Sequence, residues 1–470
     1  MAEFFRETLF ALFNEGAMSV TGGDFVRLPV TRVSLRRNDE LDLIFEFTSR
    51  GVKRDRTPHF RAGTVRSADE TIEFKHPLGT GVARGVVARG HRYSSEREGE
   101  GETVETYSAH SVEFQHLRAE PVAYIVEWVT NLPDGFIWPT PVDLSIVEKF
   151  TRTIGSGDGQ LRMEQSVETG GGDKGICMKV AGADVYLMHR HPAVPTDKTA
   201  GQIVFRGDVD QRFRDKVRTC LSFAFGKPLV LLGHTAYAAN WAPSFMKSVD
   251  AFTIGGAALK LDDLPPYPIN EARYLNVLDE RRFERVINAL VDHFDALKFN
   301  ELSWSYWYAM CAPLHSAAVN FGSLIEQLQR NSGRGAELGR LLGKHDWKKL
   351  KSSLETCLGA SSVPAEVAPI LKGKIGSFNQ APPGLLLKRM FSELGLEITD
   401  AEMNAWRHRN IAAHGGILDD PTDVILNSKI LRILFHRMIE MITNCSDAYF
   451  DYYNFDFPVR PLRQGMPARA

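Results

Sequence analysis

The chain has 470 residues, 43% hydrophobic and 24% charged, with a formal net charge of −2. This length predicts two or three domains, each large enough to bury a core, and the composition excludes a disordered or low-complexity chain. The near-neutral charge excludes any general attraction to nucleic acid or an anionic membrane, so contact with a polyanion requires a local basic patch.

The N-terminal stretch "MAEFFRETLFALF" is apolar but broken by Glu3, Arg6 and Glu7, and no basic leader or small-residue cleavage site accompanies it. No run reaches the roughly 18 apolar residues of a membrane span. The five cysteines (Cys177, Cys220, Cys311, Cys357, Cys445) are odd in number, scattered and without a CxxC. Neither a disulfide framework nor a zinc knuckle is expected, and a reducing cytoplasm fits best.

The first half reads as β-rich. "DLIFEFTS", "SVEFQHL", "AYIVEWV", "VYLMH" and "GQIVF" carry the β-branched and aromatic residues of strands. "SSEREGEGET" (94–103) and "GSGDGQ" (155–160) read as exposed loops, and "ETGGGDKG" (168–175) as a hairpin or mobile turn. Residues 213–226 read as a helix, with Val217, Cys220, Leu221 and Ala224 at helical spacing. The clearest boundary is "LDDLPPYPIN" (261–270), where Pro265, Pro266 and Pro268 stop both helix and inner strand.

Beyond that boundary the period becomes helical. Phe283, Val286, Ile287, Leu290, Phe294 and Leu297 form one apolar stripe. A second helix is predicted over 303–329, with "WSYWY" (304–308) as core or dimer interface, and shorter ones over 346–358, 364–375 and 384–395. Thr399 to Glu402 has the form of a capping box, and Asp420-Pro421 opens a last long helix carrying Leu431, Leu434, Phe435, Met438, Ile442 and Cys445 on one face. The expected fold is therefore α+β: a mixed, β-rich domain over 1–264, a proline-rich linker over 265–275, a helical bundle over 276–455 and a C-terminal tail over 456–470.

The densest chemistry lies in "WRHRNIAAHGG" (406–416), which reads as the end of a helix stopped by Gly415-Gly416. At about 100° per residue, Met403, Trp406, Arg407, Asn410 and His414 share a face, expected to be the buried one. Arg409 projects about 140° from His414 on an ideal helix. Cations in a last turn also complement the helix dipole and bond its free carbonyls, a purely structural role.

Arg409-Asn410 followed by three residues and His414 resembles the RX4-6H motif of the HEPN superfamily, helical-bundle domains common among RNA-cleaving toxins and antiviral effectors. With its long β-rich front half, the chain resembles the ApeA-type abortive-infection HEPN proteins, by motif over about 275–455 and by layout alone before that. The spacing is not specific by itself. Arg54-Asp55 with His59, and Arg340 with His345, repeat it in a β-rich loop and on a basic segment, and Arg407-His408 with His414 is a second register of the same site. Glu326 is a candidate partner for a motif arginine. The resemblance implies an all-α HEPN bundle that pairs as a homodimer around a composite cleft and cleaves RNA without metal or cofactor. Arg409, Asn410 and His414 would be catalytic, and Arg407 and His408 would bind substrate. It also implies a front half that senses a phage-derived trigger or restrains the nuclease. The competing expectation is a non-catalytic bundle that dimerises or binds RNA, beside a ligand-binding front half. His189 and His191 in "MHRHP" share a strand face, but the sequence places no third ligand and no metal site is expected. No GxxxxGK[ST] is present, which argues against nucleotide hydrolysis.

Overall fold

The computed structural model describes the chain except residues 1–8, 24–25, 27–28, 51–69, 95–100, 134–137, 155–160, 190–199, 262–264, 269–277, 334, 414–419 and 468–470. For 141–154, 161–162, 164–174, 336 and 410–413 it describes the backbone alone. The fold is α+β, with a β-rich N-terminal region followed by helices. The chain divides into two compact units. One comprises Met1–Arg218, Lys227–Asp262 and Tyr274–Glu284; the other comprises Thr219–Gly226, Asp263–Arg273 and Arg285–Ala470.

Among the described residues, the first unit holds an antiparallel sheet of eleven strands and another of four. The centre of the larger runs Ser111–His116, Pro243–Val249, Val230–Tyr237, Tyr124–Thr130 and Gly201–Arg206. Alternation explains the face that each strand buries: in Pro243–Val249 every second residue is buried, as the two-residue side-chain period requires. Phe45 and Phe47 of the four-stranded sheet stack against Phe74 of the larger one, and Phe13 of helix α1 (Leu9–Asn14) meets Phe45 and Phe74 edge-on. The glycine run at 170–172, expected as a turn, lies instead inside the long strand Leu161–Val180, where Gly170, Gly171 and Gly172 face Ser145, Leu144 and Asp143 of the neighbouring strand. Paired backbone, not side chains, satisfies that segment, so its composition misleads.

Helix α2 (Gln211–Phe225) buries Val217, Cys220, Leu221 and Ala224, the stripe read from spacing. Its other face meets Glu127, which lies 2.6 Å from Arg218 Nη1 and 3.7 Å from Arg214 Nε. Burial, and after it Arg214, Lys247 and Arg218, hold the His234 imidazole neutral, with its pKa down to about 3.

The helical unit begins within α3 (Glu280–Asp292) and continues through α4 (Phe299–Cys311) and α5 (Leu314–Asn331). The single helix expected over 303–329 is thus two. Pro313 lacks an amide hydrogen and crowds Ala312, which turns extended at ψ 147°. In α4, Tyr306 and Trp307 are buried, while Trp304 and Tyr308 stand exposed one turn apart. There follow α6 (Gly335–Leu338), α7 (Lys344–Ala360), α8 (Ala368–Ser377), α9 (Pro383–Glu393), α10 (Asp400–Ala413) and α11 (Pro421–Thr443). Helix α11 starts on the expected cap, with Thr422 N donating to Asp420 Oδ1 at 2.7 Å. It is buried all round from Ile430 to Glu440 rather than along one face, which makes it the central helix of the unit. The proline segment Pro265–Pro268 is buried in this unit, and the Tyr452 hydroxyl donates to the Pro265 carbonyl. At the C-terminal end, Val459–Pro461 pairs with Ala448–Phe450, and Leu462 and Met466 are buried.

Candidate active site at the end of helix α10

The rotation of α10 is fixed at its N-terminus. Thr399 N donates to Glu402 Oε2 at 2.6 Å and Glu402 N to Thr399 Oγ1 at 3.4 Å, the reciprocal capping box expected there. The second carboxylate oxygen of Glu402 accepts from Arg437 Nη1 of α11 at 2.5 Å, and both side chains are fully enclosed. Burial raises the Glu402 carboxyl above its ordinary range, opposed by Arg437 and by the Thr399 donors.

With Glu402 turned inward, the buried face is Glu402, Met403, Ala405, Trp406 and Arg409. This corrects the expected face. Arg407 points to solvent, its Nη1 donating to Asn404 Oδ1 at 2.8 Å, and Arg409 is the buried arginine. Sequence reasoning centred the face on Met403 and Trp406, and the ion pair to α11 turns the helix past that setting.

Arg409 lies in a socket built from three side chains. Its Nη2 donates to Glu326 Oε1 of α5 at 2.6 Å, and its guanidinium carbon sits 3.4 Å from the centre of a Trp406 ring. Beneath it is Gly322, one turn before Glu326. A Cβ there would meet Arg409 Cδ at 2.5 Å and Nη1 at 2.7 Å, so the arginine occupies the space of a missing side chain. The pairing is half-open: the Arg409 side chain is 8% exposed and Glu326 is 35% exposed. Arg409 Nε is buried and bonds to no described residue.

Of the other site candidates, His408 Nδ1 lies 3.2 Å from Asn427 Nδ2 of α11, which donates to it in the Nε2-protonated tautomer. Asn410 is on α10, with its side chain outside the described residues, and so is His414, which follows the helix directly. The structure thus brings Arg409, His408 and Glu326 to one end of the helix pair and sends Arg407 outward. Gly322 went unread in the sequence, although a lone glycine inside an apolar helical stripe is the signal of close approach.

The look-alike sites fare differently. Arg54, Asp55, His59 and His191 lie outside the described residues. Arg340 pairs its backbone with Gln380, and His345 is exposed on α7. The His189 ring packs edge-on against Trp138 at 4.6 Å. Among the described residues, no helix is long and apolar enough to cross a membrane, and no three His, Cys, Asp or Glu side chains group to hold a metal. Comparison of the chain with protein-family models, with curated proteins and with solved structures finds no match in any of the three.

Proposed function

We propose that the chain is a HEPN-type endoribonuclease that cleaves RNA without a metal ion from a site at the C-terminal end of α10. The observation that carries this reading is the Arg409 socket. An arginine serving only the helix dipole lies exposed over the last carbonyls. Arg409 instead lies over Gly322, against Trp406 and Glu326, one residue before Asn410 and five before His414.

In this chemistry His414 takes the proton from a ribose 2'-hydroxyl, whose oxygen attacks the adjacent phosphorus. The bond from phosphorus to the 5'-oxygen breaks, leaving a 2',3'-cyclic phosphate and a 5'-hydroxyl. Histidine suits the base role because its ordinary pKa is about 6.5. Arg409 stabilises the charge on the phosphorane oxygens, and Asn410 orients the histidine or bonds the phosphate. The leaving 5'-oxygen needs a proton, which His414 of a second copy supplies in a homodimer. Placement in antiviral abortive infection, with the β-rich half as trigger sensor or restraint, rests on the resemblance alone.

One observation favours the competing reading of a non-catalytic, dimerising or RNA-binding bundle: Glu326 already neutralises Arg409. A single assay separates the two. Purified protein is incubated with RNA in EDTA beside His414→Ala and Arg409→Ala. The expected outcome is cleavage by the wild type, cyclic-phosphate ends, and at least a hundredfold loss in each variant. Equal cleavage by all three, or cleavage that requires metal, contradicts the proposal.

A further inference from the structure

Between α6 and α9 the chain makes an excursion that contributes almost nothing to the core. Helix α7 buries none of its residues, and it packs on α8 and on no other helix to a comparable extent. The excursion is clasped at its root. Leu341 N and Leu342 N donate to the main-chain and side-chain oxygens of Asn379 at 2.9 and 2.7 Å, Asn379 Nδ2 donates to Leu342 O, and Ala381 N donates to Gly339 O at 2.8 Å. Arg389 of α9 ties the same root by donating to the carbonyls of Leu338 and Arg340. The result is a helical arm rooted on α6 and α9, which pack on α5 and α10, the two helices that hold Arg409.

Its charge sets the arm apart. Over residues 339–382, between the two helices α6 and α9, there are seven lysines and arginines against three acids (Asp346, Glu355 and Glu366), in a chain whose net charge is −2. Lys351 is paired, weakly, with Glu355 at 3.8 Å. Lys344, Lys348, Lys349, Lys372 and Lys374 are exposed. Among them stand the half-buried Trp347 and Phe378, which is 57% exposed. Cations that follow a backbone, with aromatic faces between them, are what a single-stranded nucleic acid requires. A membrane surface requires instead a continuous apolar stripe. On α7 that stripe is Trp347, Leu350, Leu354 and Leu358, of which Leu350 is exposed and the other three are partly covered.

We infer that the α7–α8 arm binds the phosphate backbone of RNA and delivers it to the end of α10. That the ligand is RNA rests on the ribonuclease reading; that it is a polyanion rests on the arm's own charge. The arm supplies the local positive field that the chain as a whole lacks.

The test is fluorescence anisotropy of a labelled single-stranded RNA over a salt series, with His414→Ala as background so that the probe stays intact. Lys348→Glu, Lys349→Glu and Lys372→Glu are combined in one variant. A control combines Lys75→Glu, Arg118→Glu and Lys260→Glu, exposed residues of the β-rich unit, and carries the same change in formal charge. The arm variant is expected to bind about tenfold or more weakly, with the slope of log affinity against log salt flatter by about 2. The control stays near wild type, and arginine at the three arm positions restores binding. Equal weakening by both charge reversals overturns the inference, as does wild-type binding by the arm variant. So does an arm that holds vesicles of equimolar phosphatidylserine and phosphatidylcholine at salt where RNA is released. Failure here with intact cleavage leaves the nuclease reading standing, and loss of binding in a protein that never cleaves does the reverse.

Discussion

The two ends of α10 carry the same kind of contact in opposite states. At its start Arg437 meets Glu402 with both side chains fully enclosed, and the guanidinium also donates to the carbonyls of Leu462 and Glu397. At its end Arg409 meets Glu326 with one side open and Nε bonded to no described residue. A closed, satisfied pair specifies packing. The pair at the far end, whose Glu326 is partly exposed beside a preset aromatic face, is the end at which the proposed site lies.

The largest effect is expected at the closed end. Arg437→Met leaves Glu402 buried without its partner and is expected to cost about 3–5 kcal/mol in chemical denaturation. A cost below about 1 kcal/mol means that the pair is not closed in solution. At the open end, Gly322→Ala puts a methyl where Arg409 lies. Folding stability should stay within about 1 kcal/mol, because alanine favours the helix and the arginine can swing away. RNA cleavage should fall about a hundredfold as the guanidinium leaves its place, and undiminished cleavage shows that the socket is irrelevant to catalysis.

Acidity acts on the core between the two ends. His436 of α11, with its Nε2 3.1 Å from the Tyr306 hydroxyl, is held well below its ordinary pKa by burial and by Arg432. The folded state therefore keeps it neutral while the unfolded chain takes a proton below about pH 6.5. Its contribution is present above that pH and is lost as the pH falls toward the folded pKa. Relative to His436→Phe, the wild type should lose up to about 1.4 kcal/mol per pH unit on acidification below 6.5; parallel pH profiles for the two proteins contradict this. The smallest effect is at the cap: Thr399→Ala should cost about 1 kcal/mol in thermal denaturation and leave cleavage unchanged.

Much of this was legible in the residues, and what was not has physical causes. The alternating strands, the capping box at Thr399, the Asp420-Pro421 start and the apolar stripe of α3 are local signals and needed no partner to be read. The rotation of α10 was misjudged because it is set by Glu402 and Arg437, 35 residues apart in sequence. The glycine run at 170–172 reads as a turn because backbone pairing leaves no side-chain trace. The break at Pro313 is a local signal in the sequence, and the helix expected over 303–329 ran across it. Of the site, Arg409 and its candidate partner Glu326 were named from sequence, whereas the space made by Gly322 is a property of two helices together.

The most direct test of the account is cleavage of RNA in EDTA by Arg407→Ala set beside Arg409→Ala. The open pair at the end of α10 predicts that Arg409→Ala loses at least a hundredfold in rate while Arg407→Ala, exposed and bonded only to Asn404 among the described residues, stays within a few-fold of wild type. Loss confined to Arg407→Ala contradicts it.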